Sequence, residues 1–313
     1  MDKIILLTGA TGFVGRSLAH KLCAKELRLL GRTDPKLSEH RFCQAEINGT
    51  VDFKSFLKGV DVVIHAAARA HVMNDTTSDP QLAYDEVNTA GTLNLARQAE
   101  ASGVKRFVFI SSIKVNGEET EVDQAFTSSS VLKTEDPYGI SKAKAEVALQ
   151  KLAAETEMEI VIIRPPLVYG PGVKANFATM INVAKRNLPL PLGAINNKRS
   201  LVALDNLVDL IITCTSHPKA ANQTFLVSDD HDISTTDLLK MMTQAAGKKP
   251  MLVPMPISWL KIVGKMTGKQ AVIDRLCGNL QLNISHTKRT LGWKPPITVE
   301  EGIRRCFIKE EKS

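Results

Sequence analysis

The sequence predicts an α/β chain in which a doubly wound parallel sheet, covered by helices on both faces, is followed by a smaller C-terminal α/β lobe. Three observations carry that reading. The first half alternates short apolar runs with helical patterns, as βαβ units do. A Gly-rich turn follows the first of those runs directly, and after Tyr169 the pattern changes, with Gly170, Pro171 and Gly172 opening a stretch dense in Pro and Gly. Strands are expected at 4–8, 27–31, 41–45, 60–66, 106–111 and 159–164. Residues 1–168 read as the first domain and 169–313 as the second lobe, with 199–215 returning to the first sheet.

Composition narrows the function classes. With 43% hydrophobic and 23% charged residues over 313 positions, the chain falls in the globular range, away from disordered or fibrous composition. The net charge of +7 suits an anionic ligand but is not gathered into one run, and aromatics are only 5%, which argues against a base-stacking platform and hence a nucleic-acid partner. Five scattered cysteines without a CxxC pair indicate neither a disulfide framework nor a thiolate metal site. The apolar run at 4–8 is too short for a signal peptide, and 251–268 carries Pro254, Pro256, Lys261 and Lys265, so it reads as a surface or amphipathic helix rather than a membrane span. A cytoplasmic protein without membrane insertion is expected.

The first strand runs into Gly9-Ala10-Thr11-Gly12-Phe13-Val14-Gly15 and then into a helical pattern at 16–25. Glycines there permit a tight turn, close approach of backbone N–H groups to a pyrophosphate, and close helix–strand packing. The context is that of a Rossmann-type dinucleotide site, although the spacing is GxxGxxG rather than GxGxxG. Gly9, Thr11, Gly12, Phe13, Val14 and Gly15 are the candidate contacts. At the end of the second strand, where an Asp or Glu would hold the adenosine ribose, stands Arg32. A guanidinium suits a 2′-phosphate, so NADP is favoured over NAD, with a solvated loop arginine as the plain alternative. Glu46 and the adjoining Ile47, after the third strand, are candidates for the adenine.

Tyr138 and Lys142 stand four apart at the start of a helix that Asp136-Pro137 announces, so they share one face. A neighbouring ammonium favours phenolate, which would move a tyrosine down toward a useful acid–base range. Alone, a Tyr and a Lys at this spacing say little. The fifth strand, however, ends in Ser111-Ser112, placing hydroxyls at the C-terminal edge of the sheet, where open α/β folds bind ligands.

TGATGFVG at 8–15, HAAA at 65–68, FISS at 109–112, YGISK at 138–142 and RPPLVYGPG at 164–172 together resemble the extended short-chain dehydrogenase/reductase family of nucleotide-sugar epimerases, dehydratases and ketoreductases. The likeness extends to KRSLVALD at 198–205 and LGWKP at 291–295. It implies Tyr138 as the general acid/base at a sugar oxygen, Ser112 bonded to the same oxygen, and Lys142 holding the nicotinamide ribose. It further implies that Ala66, Ala67 and Ala68 pass close to the cofactor and that Pro165 lies near the nicotinamide. Asn88 would stand near the cofactor too, unless it is a helix-capping amide. Asn176, Arg199 and Arg275 would bind the diphosphate of a UDP-sugar, making 169–313 the nucleotide-sugar lobe. Arg69 and His71 are candidates for the sugar pocket or for surface roles. A homodimer through a helix bundle containing the Tyr138 helix is implied as well.

Departures from the family pattern narrow the chemistry. Dehydratases carry an Asp-Glu pair directly after the catalytic hydroxyl residue, whereas here Ile113 and Lys114 follow Ser112, which argues against elimination. Lys114 is a candidate to bind a substrate oxygen instead. Asn116 replaces a usual Tyr and Leu167 a frequent Asn, changing the expected substrate contacts. The wording around 65–72, 168–177 and 197–202 is similar to bacterial surface-polysaccharide enzymes acting at C4 of UDP-N-acetylhexosamines. Two activities fit: reduction of a 4-keto-6-deoxy sugar, favoured by Arg32 because a releasable NADPH suits net reduction, and C4 epimerisation. A non-catalytic dinucleotide binder is opposed by the joint presence of Ser112, Tyr138 and Lys142.

Overall fold

The computed structural model describes residues 3–70 and 79–308. The first half lays down β1 (Ile4–Thr8), α1 (Phe13–Lys21), β2 (Glu26–Gly31), β3 (Arg41–Gln44), α2 (Lys54–Leu57) and β4 (Val62–His65). It continues with α3 (Pro80–Tyr84), α4 (Thr92–Ala101), β5 (Arg106–Ile110), α5 (Pro137–Glu155), β6 (Glu159–Arg164) and β7 (Leu167–Tyr169). After these come α6 (Ala175–Arg186), β8 (Leu201–Ala203), α7 (Leu204–Cys214), β9 (Gln223–Leu226) and α8 (Thr235–Ala245). The last elements are α9 (Ile257–Met266), α10 (Gln270–Cys277), α11 (Ser285–Leu291) and α12 (Val299–Arg305).

Seven strands form one parallel sheet in the order β3-β2-β1-β4-β5-β6-β9. Alternate residues along each strand enter opposite cores. Ile5, Leu7, Leu29, Ile64, Val108 and Ile163 pack under Leu18 of α1 and Leu207 and Ile211 of α7. Leu6, Leu30, Val63, Phe107, Phe109 and Ile162 pack under Leu95 and Ala99 of α4 and Ala145, Leu149 and Leu152 of α5. Burial on both faces is why these strands are near-continuous apolar runs rather than alternating ones, each buried Leu, Ile or Phe contributing about 1.5–3 kcal/mol.

The segment expected to return to the first sheet divides into two fates. Its strand β8 pairs with β7 in a separate two-stranded sheet, while its helix α7 lies on the main sheet beside α1. The seventh strand of the main sheet is instead β9, which sequence reading left out; it pairs with β6 from Val161↔Gln223 to Arg164↔Leu226. β4 begins at Val62 rather than 60, because the Val60 N–H is taken by the Leu57 carbonyl and the Asp61 carboxylate accepts from the Ile4 N–H.

A third core joins Tyr169, Phe177, Leu201, Leu238, Met242 and Ile303. At its centre the Tyr169 hydroxyl donates to Asp229 Oδ2 at 2.7 Å, and Asp229 Oδ1 accepts from the Ala203 N–H at 2.8 Å and from Asn206 at 2.7 Å. One buried carboxylate thus ties β7, β8 and α7 to the chain after β9. Between β1 and β4 the strand order reverses, so the crevice at their C-terminal ends is where this topology places a ligand.

Candidate active site

The glycines at that crevice are fixed by contact. Gly9 has φ +78, and a Cβ there would stand 2.7 Å from the Ala67 N–H, so only glycine lets the β1–α1 turn lie against Ala66 to Ala68. A Cβ on Gly15 would run into the Gly9 carbonyl, which holds α1 tight on the turn. Gly12 caps α1 without a side-chain hydrogen bond, and Thr11 and Gly12 are exposed. The first-turn N–H groups of a nine-residue helix therefore have no side-chain cap and lie beside a backbone cradle, with Phe13 and Val14 half-buried in that turn. This arrangement fits a pyrophosphate.

Beneath the cradle lies His65, a buried residue whose role sequence reading missed because it belonged to the HAAA motif. Its Nδ1 meets the Thr8 hydroxyl at 2.8 Å and its Nε2 meets the Thr92 hydroxyl at 2.9 Å, while the Thr8 oxygen accepts from the Ala67 N–H at 3.1 Å. The imidazole thus links β1, β4 and α4 under the loops that would hold the cofactor. Burial, reinforced by the Lys142 charge, pushes its pKa down to about 3. Because the folded value lies below the ordinary 6.5, only the unfolded chain gains a proton as pH falls between those values, so folding stability is lost on acidification. From this group the loss is about 1.4 kcal/mol per pH unit below 6.5. Denaturant titrations of wild type and His65→Gln, compared across that range, should show the variant lacking this increment.

The adenosine-side candidates are more open. Arg32 is exposed just after β2, its carbonyl accepting from Gln44 Nε2 at 3.1 Å. Glu46 is exposed, and Ile47 is half-buried with its backbone against Gly91, where a Cβ would approach it to 2.9 Å. Asn88 is held inside the protein. It lies buried in the π-helical turn Asp85–Gly91, where its amide donates to the Ser141 hydroxyl and the Arg69 carbonyl, both at 3.0 Å, and its Oδ1 accepts from the Arg69 N–H at 2.8 Å. It bridges the loop after β4 to α5 rather than capping a helix.

The chain from β5 to α5 builds the reacting corner. Ser112 caps a 3₁₀ turn, Ile113–Val115, its Oγ accepting from the Lys114 N–H at 3.2 Å. Asp136 caps α5 by accepting from the Gly139 N–H at 3.0 Å, with Pro137 at the first helical position. A Cβ on Gly139 would press on the Lys114 carbonyl at 3.0 Å, so glycine lets α5 start against this turn. Tyr138 thereby stands beside Ser112, whose hydroxyl opposes the rise of the phenol pKa. Its half-buried ring also meets Tyr84 edge-on, centroids 6.1 Å apart, and the Arg69 guanidinium lies 5.6 Å above Tyr84. Pro165 is buried at the same corner and its carbonyl accepts from the Ile113 N–H at 2.9 Å. His71 lies outside the described residues.

Lys142 corrects the expected electrostatics. Its Nζ donates to the Ile110 carbonyl at 2.9 Å and lies 4.4 Å over the Phe109 ring, engaged with the strand end. Burial pulls its pKa down to about 7, opposed by the Glu146 carboxylate. Tyr138 is accordingly not moved down: burial first, then Asp136, raise its phenol above the usual value, with the Ser112 hydroxyl opposing. Sequence reading also missed what lies under the lysine. Glu146, fully buried four residues along α5, binds Arg164 through both carboxylate oxygens at 2.5–3.1 Å and accepts from Ser111 at 2.5 Å. Asn116 completes this cluster by accepting from Arg164 at 3.2 Å, and its amide donates to the Ser130 and Val131 carbonyls, so it is occupied inside the protein rather than by a substrate.

On the substrate side, the structure brings Arg199 and Arg275 together. Arg199 Nη1 donates to the Arg275 and Gly278 carbonyls at 3.0 Å. Burial lowers the Arg199 pKa, and the like charge of Arg275 lowers it further against Glu119 and Glu118. Asn176 stands exposed in the first turn of α6 and makes no side-chain hydrogen bond to either arginine. Lys114 forms ion pairs with Glu118 at 2.6 Å and Asp136 at 3.4 Å.

Comparison with known proteins agrees with this geometry. The model of the NAD dependent epimerase/dehydratase family matches residues 5–228. A Vibrio cholerae protein named UDP-glucose 4-epimerase is 52% identical over 97% of this chain and 94% of its own length. Among solved structures, a UDP-glucose 4-epimerase from Thermotoga maritima with UDP-glucose superposes with TM-score 0.75 at 22% identity, covering 97% of each chain. A UDP-glucuronic acid 4-epimerase from Bacillus cereus in complex with NAD gives 0.77 at 20% identity, also with 97% of each chain covered. Glycine cradle, Ser112–Tyr138 corner, full-length relatives and family match converge: the chain belongs to the NAD-dependent epimerase/dehydratase family of the extended short-chain dehydrogenases/reductases.

Proposed function

We propose that this protein is a 4-epimerase of a UDP-hexose or UDP-N-acetylhexosamine that retains its dinucleotide through each turnover and serves surface-polysaccharide synthesis. The observation that carries the choice is the 52% identity to a protein named UDP-glucose 4-epimerase across nearly the whole of both chains. A bound NAD or NADP would supply the hydride acceptor and donor at C4. The chain's own residues supply the rest. The Gly9–Gly15 turn and the α1 N-terminus bind the pyrophosphate; Tyr138 takes and returns the proton of the C4 hydroxyl; Ser112 holds that oxygen; Lys142 places positive charge beside the site. Arg199 and Arg275 bind the diphosphate. Ile113 and Lys114 leave the dehydratase acid and base unrepresented.

Reduction of a 4-keto-6-deoxy sugar is the second reading, and Arg32 favours it: an exposed guanidinium at the end of β2 suits the 2′-phosphate of a releasable NADPH. One experiment separates them. The purified protein is incubated with UDP-glucose or UDP-N-acetylglucosamine and followed by NMR, with NAD and NADP in parallel tubes. A second set holds a UDP-4-keto-6-deoxy-N-acetylhexosamine with NADH or NADPH and is followed by nicotinamide absorbance. Accumulation of a C4 epimer without net cofactor change supports the epimerase; stoichiometric cofactor oxidation with the keto sugar and no epimer overturns it.

A further inference from the structure

Helix α9 carries a continuous apolar stripe that faces away from the protein. Trp259, Ile262, Val263 and Met266 fall at i, i+3, i+4 and i+7, the spacing of a single helix face. They are 64, 58, 50 and 82% exposed. The opposite side holds buried Leu260 and Gly264, and a Cβ on Gly264 would stand 2.8 Å from the Ile273 side chain, so α10 closes against α9 there. Val272 on α10 is exposed, as are Met251 and Val253 on the segment leading in. The stripe is flanked by charge of one sign. Between 257 and 277 the exposed residues Lys261, Lys265, Lys269 and Arg275 stand against Asp274 alone, which is half-buried and accepts from Gln270 Nε2 at 2.8 Å.

We propose that the α9–α10 hairpin is a docking surface for an anionic lipid bilayer. A tryptophan-bearing apolar face flanked by long cationic side chains is what an interfacial helix presents, the stripe entering the headgroup boundary and the lysines reaching anionic headgroups. No helix among the described residues is long and apolar enough to cross a membrane, so the contact lies along the surface. A second copy of the chain is a poorer occupant, because a two-fold contact would oppose Lys261, Lys265 and Lys269 to their own counterparts. Arg275 is part of the same hairpin and its carbonyl accepts from Arg199. Docking therefore sets the candidate diphosphate arginines beside the headgroup layer.

Cosedimentation with vesicles of phosphatidylcholine, with and without phosphatidylglycerol, tests this on the full chain. Binding is expected only with phosphatidylglycerol, weakening with salt and falling about fivefold for each of Lys261→Gln and Lys265→Gln. Trp259 supplies a second readout, since the other tryptophan, Trp293, is buried and donates to Asp209 at 2.7 Å. Its fluorescence should shift to the blue and be quenched by brominated acyl chains, and Trp259→Phe should remove both effects. Ile262→Ser/Met266→Ser should lose vesicle binding while turnover of a soluble nucleotide sugar stays at the wild-type rate. Absence of cosedimentation and quenching in an active preparation overturns the proposal. So does a concentration-dependent self-association abolished by Ile262→Ser/Met266→Ser, or occupation of the stripe by a co-purifying protein lost in the same variant.

Discussion

Replacing Tyr138 by Phe is expected to lower turnover by about 10²–10⁴-fold while leaving dinucleotide binding unchanged. The substitution removes one O–H and little else. The half-buried ring, its edge contact with Tyr84 and the cap of α5 by Asp136 all survive, because none uses the phenolic oxygen. What disappears is the phenolic oxygen beside Ser112 and the only proton that this side chain can exchange. In energy the loss corresponds to about 3–5 kcal/mol of transition-state stabilisation. Binding should persist because the pyrophosphate cradle is made elsewhere, by the β1–α1 turn against Ala66 to Ala68. In the free chain the phenol lies above its ordinary pKa, so at neutral pH it holds its proton and must find positive charge nearby to act as a base. NMR turnover assays and calorimetric titration with NAD and NADP measure the two quantities separately. A Phe variant of full activity would remove Tyr138 from the proton transfer, whichever sugar is used.

The glycine turn after β1 and the placing of Ser112, Tyr138 and Lys142 at one corner were legible in the sequence because each is written in consecutive or helically spaced residues. Most of the expected strands were legible because Ile5, Leu6, Leu7 and their counterparts on β4, β5 and β6 form nearly unbroken apolar runs, as burial on both faces requires. β9 escaped notice for a physical reason: it has four residues, begins with the half-buried polar pair Gln223 and Thr224, and follows Asn222 in a left-handed turn at φ +55. β7 and β8 have three residues each, too few to show a period. In the site, His65 and Asn88 were visible as motif letters, but their roles depend on Thr8, Thr92, Ser141 and Arg69, which no local spacing links. Glu146 did leave a trace. It is an acidic residue adjoining Ala145 and one turn before Leu149 on the face of α5 that enters the core, and Arg164 is its matching anomaly at the end of the apolar strand β6. The direction of the Tyr138 shift was not legible, since it depends on where the Lys142 ammonium points.

Glu146→Gln should cost about 3–5 kcal/mol of folding stability, the range for breaking a buried ion pair by neutralising one partner. Arg164 would keep its charge at 3% exposure with only the Asn116 and Ser128 oxygens left as acceptors beside a neutral amide. The Ser111 hydroxyl would lose its charged acceptor as well. A purely structural role would end there, and Glu146→Gln/Arg164→Met, which removes both charges together, should recover most of the stability. The lysine separates the two roles. Glu146 is the group that opposes burial in holding up the Lys142 pKa, so both variants should push that value below about 7. Because the charged form of Lys142 then exists only at lower pH, the descending limb of the kcat/KM profile should move toward acid in the single and the double variant alike. Denaturant unfolding and pH–rate profiles on the three proteins decide the matter. Recovered stability with an acid-shifted limb assigns Glu146 to positioning and charging the lysine, whereas recovered stability with an unshifted limb confines it to holding α5 against β6.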